Sequence, residues 1–234
     1  MPAPVLHQAV VEELGQAIAG GRLAAGDVVL LEEVVARLDV SRTVAREAVR
    51  VLETLGMVAV TRRVGNVVRP RSAWQVLDPR VIRWRLEGPH RTEELDQLMQ
   101  LRAGIEPIAA RLRASFAPDA VGHRLVELSR DMFELGSRGR GVTPAFLEAD
   151  LEFHRLLVTS CGNDHLAAFS DVLATLLTER NRLGLLGDYP DPRAMASHLA
   201  IGEAITRRGP ADAEDACRGL VDVVHAEVLL VPFA

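Results

Sequence analysis

The chain has 234 residues, 48% hydrophobic and 4% aromatic, with a formal charge of -5. That length holds one or two domains with real cores, and sparse aromatics beside abundant Ala, Leu and Val favour helices. Two cysteines exclude a disulfide framework, no apolar run reaches membrane length, and His7, Gln8, Glu12 and Glu13 interrupt any signal-peptide core, so a soluble cytoplasmic protein is expected.

A first helix over residues 5–19 stops at Gly20-Gly21, where glycine ends helices well. Residues 32–38 follow as a short supporting helix, with Leu31, Val34, Val35 and Leu38 as its apolar positions. Asp39-Val40-Ser41 makes a turn, and Ser41 is a natural N-cap for a second helix over residues 41–55. At roughly 100° per residue, Val44, Ala48, Val51, Leu52 and Leu55 share one stripe, while Arg42, Arg46 and Arg50 climb the opposite side. A helix anchored on one face with guanidinium forks on the other suits a major groove, since planar donors match guanine edges and phosphates. After Gly56, residues 57–60 and 67–68 are expected as two short strands with a turn at Gly65-Asn66, so the hairpin presents Arg62 and Arg63.

An arginine row alone is usually solvated charge. The DNA-binding reading rests on the order of parts: helix, turn, helix, arginine-bearing hairpin. Charge agrees with it once the chain is divided. Residues 42–71 carry seven arginines against Glu47 and Glu53, a local +5, on an otherwise acidic body.

Pro70-Arg71-Ser72 is the expected linker, dividing a winged helix-turn-helix at residues 1–71 from an all-α bundle at residues 72–234. Helices are expected near 79–86, 92–115, 119–137, 144–160, 164–184, 192–208 and 211–230, with start signals at Asp78-Pro79, Thr92, Pro118-Asp119 and Thr143-Pro144. Pro107 should kink the second of these. The fold class is therefore mostly α, with a small two-stranded wing.

In the bundle, Asp150 and His154 stand four apart on one helix face. That spacing suits two metal ligands, but by itself it more often marks an ordinary hydrogen-bonded pair. His198 and His225 lie on two further helices and are the other candidate ligands. Arg102 sits among Leu98, Leu101 and Ile105, so it needs a partner, either a ligand carboxylate or Glu106. Asn181 and Arg182 are weaker polar candidates for the same cavity. Glu152 points away from the Asp150–His154 face, which leaves no placed general base and argues against catalysis.

These residues together resemble the GntR family of bacterial transcription regulators, in the FadR-like branch that carries an FCD effector domain. The resemblance runs through Gly21-Arg22-Leu23-Ala24-Ala25-Gly26, through the recognition-helix core Val40-Ser41-Arg42-Thr43-Val44-Ala45-Arg46-Glu47-Ala48, and through Leu101-Arg102-Ala103-Gly104-Ile105-Glu106-Pro107. It implies DNA contact by Ser41, Arg42 and Arg46, with Gly65 at the wing tip. Joined to the residues read from pattern, the candidate DNA-binding set is Ser41, Arg42, Thr43, Arg46, Arg50, Arg62, Arg63 and Gly65. One position departs: where the family's supporting helix brings an arginine to the phosphates, this chain has Glu32.

The resemblance also implies a divalent metal ion (zinc, with nickel or manganese as alternatives) on Asp150, His154 and His198. The family's third histidine falls near Val223 and His225 stands two residues later, so either the register is off or the metal has three protein ligands plus water and effector. The stretch from Trp74 to Pro107 looks most like galactonate-responsive regulators of sugar-acid catabolism, which implies a small hydroxy-carboxylate effector bound by the metal and Arg102; Asn181, read from its helix, joins Arg102 as an effector-binding candidate. The expected function is a homodimeric, ligand-responsive repressor on a double-stranded operator, with no membrane partner. The alternatives are a metal-sensing regulator and, more remotely, a metal-dependent hydrolase or lyase.

Overall fold

A computed structural model describes residues 3–116 and 120–230 and divides the chain into two units, Met1–Glu94 and Leu95–Ala234. The Pro118-Asp119 start signal lies outside the described residues.

In the first unit, helix α1 (Ala3–Ala19) turns Val10, Leu14 and Ile18 into the core and stops where Gly21 takes a φ of 80°. Helix α2 (Leu31–Leu38) ends at Asp39, whose φ of 49° is a left-handed conformation that Asp tolerates better than most residues. Helix α3 (Arg42–Thr54) begins on Ser41, whose Oγ accepts the Val44 N–H at 3.2 Å. The core face of α3 differs from the expected stripe. Ala45, Ala48, Val49 and Leu52 are buried, while Val44 and Val51 flank them half-buried. The inward direction is thus rotated by about 60° at 3.6 residues per turn, because small Ala45 can face the core where the larger valines were expected.

The sheet has three strands, not two: β1 (Val28–Val29), β2 (Val58–Thr61) and β3 (Gly65–Val68), in the order β1-β3-β2 and antiparallel throughout. β1 is too short for alternation to reveal it. Gly65 and Asn66 lie in β3 rather than in the turn, with Gly65 opposite Thr61. The turn is the preceding triplet 62–64, where Arg63 itself supplies the left-handed residue (φ 67°) that a three-residue hairpin loop needs.

Helix α3 is closed by Gly56, at a φ of 73°, where an added Cβ would stand 2.2 Å from the Ala73 carbonyl oxygen. Gly56→Ala combines a left-handed alanine with a backbone clash, and is expected to lower stability by about 2–3 kcal/mol. Urea denaturation checks this, and a change under 1 kcal/mol would mean the chain shifts to relieve the clash.

The first unit extends past the expected break at Arg71. Residues Arg71–Ala73 form a single 3₁₀ turn, and α4 (Pro79–Glu87) returns Val81 and Trp84 to the same core. Trp84 Nε1 donates to Glu12 Oε2 at 2.5 Å, and a Cβ on Gly15 would meet the indole at 2.5 Å. Buried Arg85 and half-buried Arg71 share Glu94 Oε2, at 3.3 and 2.7 Å. These contacts carry the compact unit to Glu94, because a buried arginine holds the chain only where its carboxylate is.

Helix α5 (Arg91–Ala114) leads into the second unit and continues through Pro107 as one helix. It is followed by α6 (Ala120–Ser137), α7 (Pro144–Thr159), α8 (Asp164–Ala167), α9 (Ser170–Arg182), α10 (Pro192–Thr206) and α11 (Pro210–Leu230). The helix expected over 164–184 is split in two at Ala168-Phe169, where Phe169 packs against the buried cluster that contains Ile105, Val158 and Leu173. α10 packs against α11 and α6, α6 against α7, and α7 against α9. Among the described residues this unit has no strand, and no helix is long and apolar enough to cross a membrane.

Candidate functional site

Two places carry chemistry, one in each unit. On the first, Ser41, Arg42, Thr43, Arg46 and Arg50 are all exposed along α3, and Arg62 and Arg63 are exposed in the hairpin turn. Gly65, at the base of the turn, is half-buried. The arginines differ in company. Arg42 Nη2 is paired with Glu32 Oε1 across from α2, and Arg50 Nη1 with Glu47 Oε1 at 2.8 Å within α3. Arg46, Arg62 and Arg63 make no ion pair among the described residues. A capped helix with its apolar face in the core thus holds free guanidinium groups outward, as reading a groove requires.

In the second unit the charged residues are buried. The Thr143 cap and Pro144 start α7, and its inward face carries Phe146, Asp150, Phe153, His154 and Leu157. Placing a carboxylate and an imidazole on that oily face demands partners. Asp150 Oδ1 lies 3.3 Å from His154 Nε2 and 3.6 Å from His198 Nε2, the latter on α10. Ligand atoms of these three side chains all fall within 4.8 Å of one another. His225 does not join them; it faces Asp96 Oδ1 at 2.8 Å and is half-buried.

An oxygen stands beside the far nitrogen of each histidine. His198 Nδ1 lies 2.8 Å from the Ala194 carbonyl, and His154 Nδ1 lies 2.7 Å from Glu106 Oε2. For His198 the acceptor beside Nδ1 places the proton there and leaves the Nε2 lone pair directed at Asp150 Oδ1, whereas His154 Nε2 lies 3.3 Å from Asp150 Oδ1 and 3.4 Å from Arg102 Nη2. A lone pair facing a carboxylate oxygen across 3.6 Å is repulsive unless a cation lies between them. His198 Nε2 also has no hydrogen-bond partner among the described residues. The donor set therefore fits a divalent ion, with Glu106 and the Ala194 carbonyl as the outer partners that orient metal-binding histidines.

Burial disfavours the imidazolium at both positions. For His154 the neighbouring Glu106 and Asp150 outweigh it and raise the pKa, whereas for His198 burial prevails and lowers it. Asp150 and Glu106 are held far below the usual carboxylate range despite burial, Asp150 by its histidines and Arg180, Glu106 by Arg102 and His154.

Of the two partners open to Arg102, the structure uses Glu106, with Nε to Oε1 at 2.5 Å. Its Nη1 remains buried without a partner among the described residues, as do Arg180 Nε and Asn181 Nδ2. Arg180, on α9 with Nη2 at 3.2 Å from Asp150 Oδ2, was not singled out from sequence. Its signal was available: a charge on the inward face beside Leu176 and Leu177. Arg182 instead points to Glu179 at 2.7 Å and is exposed. Glu152 is occupied by Arg124, at 2.9 and 2.8 Å.

Comparison with known proteins gives two family matches: the FCD domain over residues 97–222, and the bacterial regulatory proteins of the gntR family over residues 6–68. The galactonate operon transcriptional repressor of Escherichia coli (strain K12) is 26% identical over 91% of this chain and 92% of its own length. The transcriptional repressor NanR of Enterobacter sp. (strain 638) is 28% identical over 94% and 84%, and a probable D-xylose utilization operon transcriptional repressor of Paenarthrobacter nicotinovorans is 29% identical over 85% and 78%. The solved structure of Lar from Listeria monocytogenes shares the fold, at a TM-score of 0.55 and 14% identity over 95% of both chains.

Proposed function

From the premise that this chain belongs to the gntR-type regulators bearing an FCD domain, we propose that it represses a sugar-acid or other carboxylate operon and releases its DNA when that acid binds. It is a DNA-binding transcription regulator and not an enzyme. Ser41, Arg42, Thr43, Arg46 and Arg50 enter the major groove, and Arg62 and Arg63, carried by the turn before Gly65, reach the backbone or the minor groove beside it. Two copies related by a two-fold axis read the two halves of a near-palindromic operator. Residues 1–71 supply the DNA contacts and residues 72–234 the effector site and dimer contacts.

The observation that carries the effector reading is the charge balance of the buried site. Arg102 and Arg180 already neutralise Asp150 and Glu106. A divalent ion held by Asp150, His154 and His198, zinc before nickel or manganese, leaves an excess of positive charge in a place sealed from water. An anion relieves it, and Arg102 Nη1, Arg180 Nε and Asn181 Nδ2 offer N–H donors with no other partner among the described residues. The ion supplies an anchoring charge for the acid. For binding to release DNA, the acid must favour the dimer geometry that fits the operator poorly.

The test uses a duplex selected by the protein from a random library, with affinity read by fluorescence anisotropy. Zinc plus a sugar acid, beginning with galactonate, should lower DNA affinity at least tenfold while zinc alone does little. Release by zinc alone would make the protein a metal sensor, and indifference to every acid tried would remove the effector assignment.

A further inference from the structure

We propose that Glu32 makes Arg42 a reader of base edges instead of a general phosphate clamp, and so sets the specificity of the DNA interface. The proposal rests on the DNA-binding reading of the first unit.

Glu32 lies in the first turn of α2 and Arg42 in the first turn of α3, on opposite sides of the Asp39 turn, and their side chains meet in an ion pair. Both are about two-thirds exposed (69% each), so the pair stands on the surface and not in the core. In isolation such a pair contributes little to stability. Its consequence appears when DNA approaches. A guanidinium with no partner binds any phosphate it meets, which adds affinity without sequence information. A guanidinium already held by a carboxylate gains little by exchanging it for a phosphate.

Only Nη2 of Arg42 is engaged by Glu32. The remaining donors stay free for a guanine O6/N7 edge, which accepts two parallel N–H groups. The carboxylate also restricts the arginine rotamer before binding, so less side-chain freedom is lost when the base contact forms. At the same time the negative charge of Glu32 repels the phosphate backbone. Arg46, about one turn further along α3, makes no ion pair among the described residues and so does not depend on Glu32.

A plainer role for Glu32 is to complement the positive end of the α2 dipole. Its own backbone N–H and Arg42 hold its carboxyl below the usual range, in that order. The dipole role would be served as well by Glu33, in the same turn and without an ion pair among the described residues. Glu33→Gln is therefore the control, since it removes the same charge without touching Arg42.

The experiment measures binding of the full chain to its library-selected duplex and to an unrelated duplex of equal length, across a salt series. Glu32→Gln should bind the unrelated duplex about three- to tenfold more tightly, with a salt slope steeper by about 0.9, the value of one added phosphate contact. Preference for the selected duplex should fall at least threefold. Glu32→Gln combined with Arg42→Ala should lose the gain, and Glu33→Gln should show less than half of it. Unchanged preference and slope in Glu32→Gln would overturn the proposal. So would a gain that survives Arg42→Ala, or one matched by Glu33→Gln, since either makes Glu32 a simple repelling charge. If the wild-type protein selects no duplex, the DNA-binding reading itself fails.

Discussion

Arg46→Ala is expected to weaken binding to the selected operator duplex by about 1–3 kcal/mol, roughly 5- to 150-fold, the range of a bidentate base contact. The position stands out because its neighbours on α3 are engaged: Arg42 by Glu32 and Arg50 by Glu47. Arg46 alone of the three enters the interface with all its donors free among the described residues. Because α3 buries its other face through Ala45, Ala48, Val49 and Leu52, the substitution leaves the core intact, and a circular dichroism melt should not move by more than a degree or two. Affinity for unrelated DNA should change less than affinity for the operator. Unchanged operator affinity at constant salt would take Arg46 out of the interface, and an equal loss on both duplexes would make it a phosphate contact.

Glu106→Ala is expected to lower the stability of the metal-free protein by about 3–5 kcal/mol, the effect of leaving a buried charge without its partner. Glu106 is fully buried and serves two partners at once, Arg102 at 2.5 Å and His154 Nδ1 at 2.7 Å. The effect should depend on pH in a definite direction. A carboxyl whose folded pKa is depressed contributes stability that is present above its unfolded value, here 4.5, and is lost as pH falls toward the folded value. The gap between wild type and variant should therefore be widest near neutrality and narrow in acid. Glu106→Gln, which keeps the volume, should retain more stability and yet bind zinc about 10- to 100-fold more weakly, because the amide no longer fixes the His154 ring through a charge. An alanine variant as stable as wild type would mean that Arg102 and His154 find water when Glu106 is gone.

The features legible in the sequence are those governed by neighbours along the chain. Ser41 caps α3 because a hydroxyl at that position meets an N–H three residues on. Thr143-Pro144 starts α7 for the same local reason. Asp150 and His154 share a face by helical period alone, and the arginines of α3 point outward once its apolar side is anchored. The two-residue strand β1 was hidden because nothing in Val28-Val29 distinguishes a strand from a loop until β3 lies beside it. The turn was placed two residues late because Arg63 takes a conformation that local preference assigns to glycine.

Composition, helical period and capping chemistry by themselves determined the class of this protein: a winged helix-turn-helix with an arginine-bearing second helix, followed by a helical bundle. Tertiary structure alone decided who partners whom. It gave Glu106 to both Arg102 and His154, brought His198 to Asp150 while leaving His225 with Asp96, turned Arg180 inward, and paired Glu32 with Arg42. The physical reason is range. A cap or an amphipathic stripe is settled within a turn or two of backbone, whereas a buried charge is settled by whichever opposite charge the packing of distant helices delivers to it.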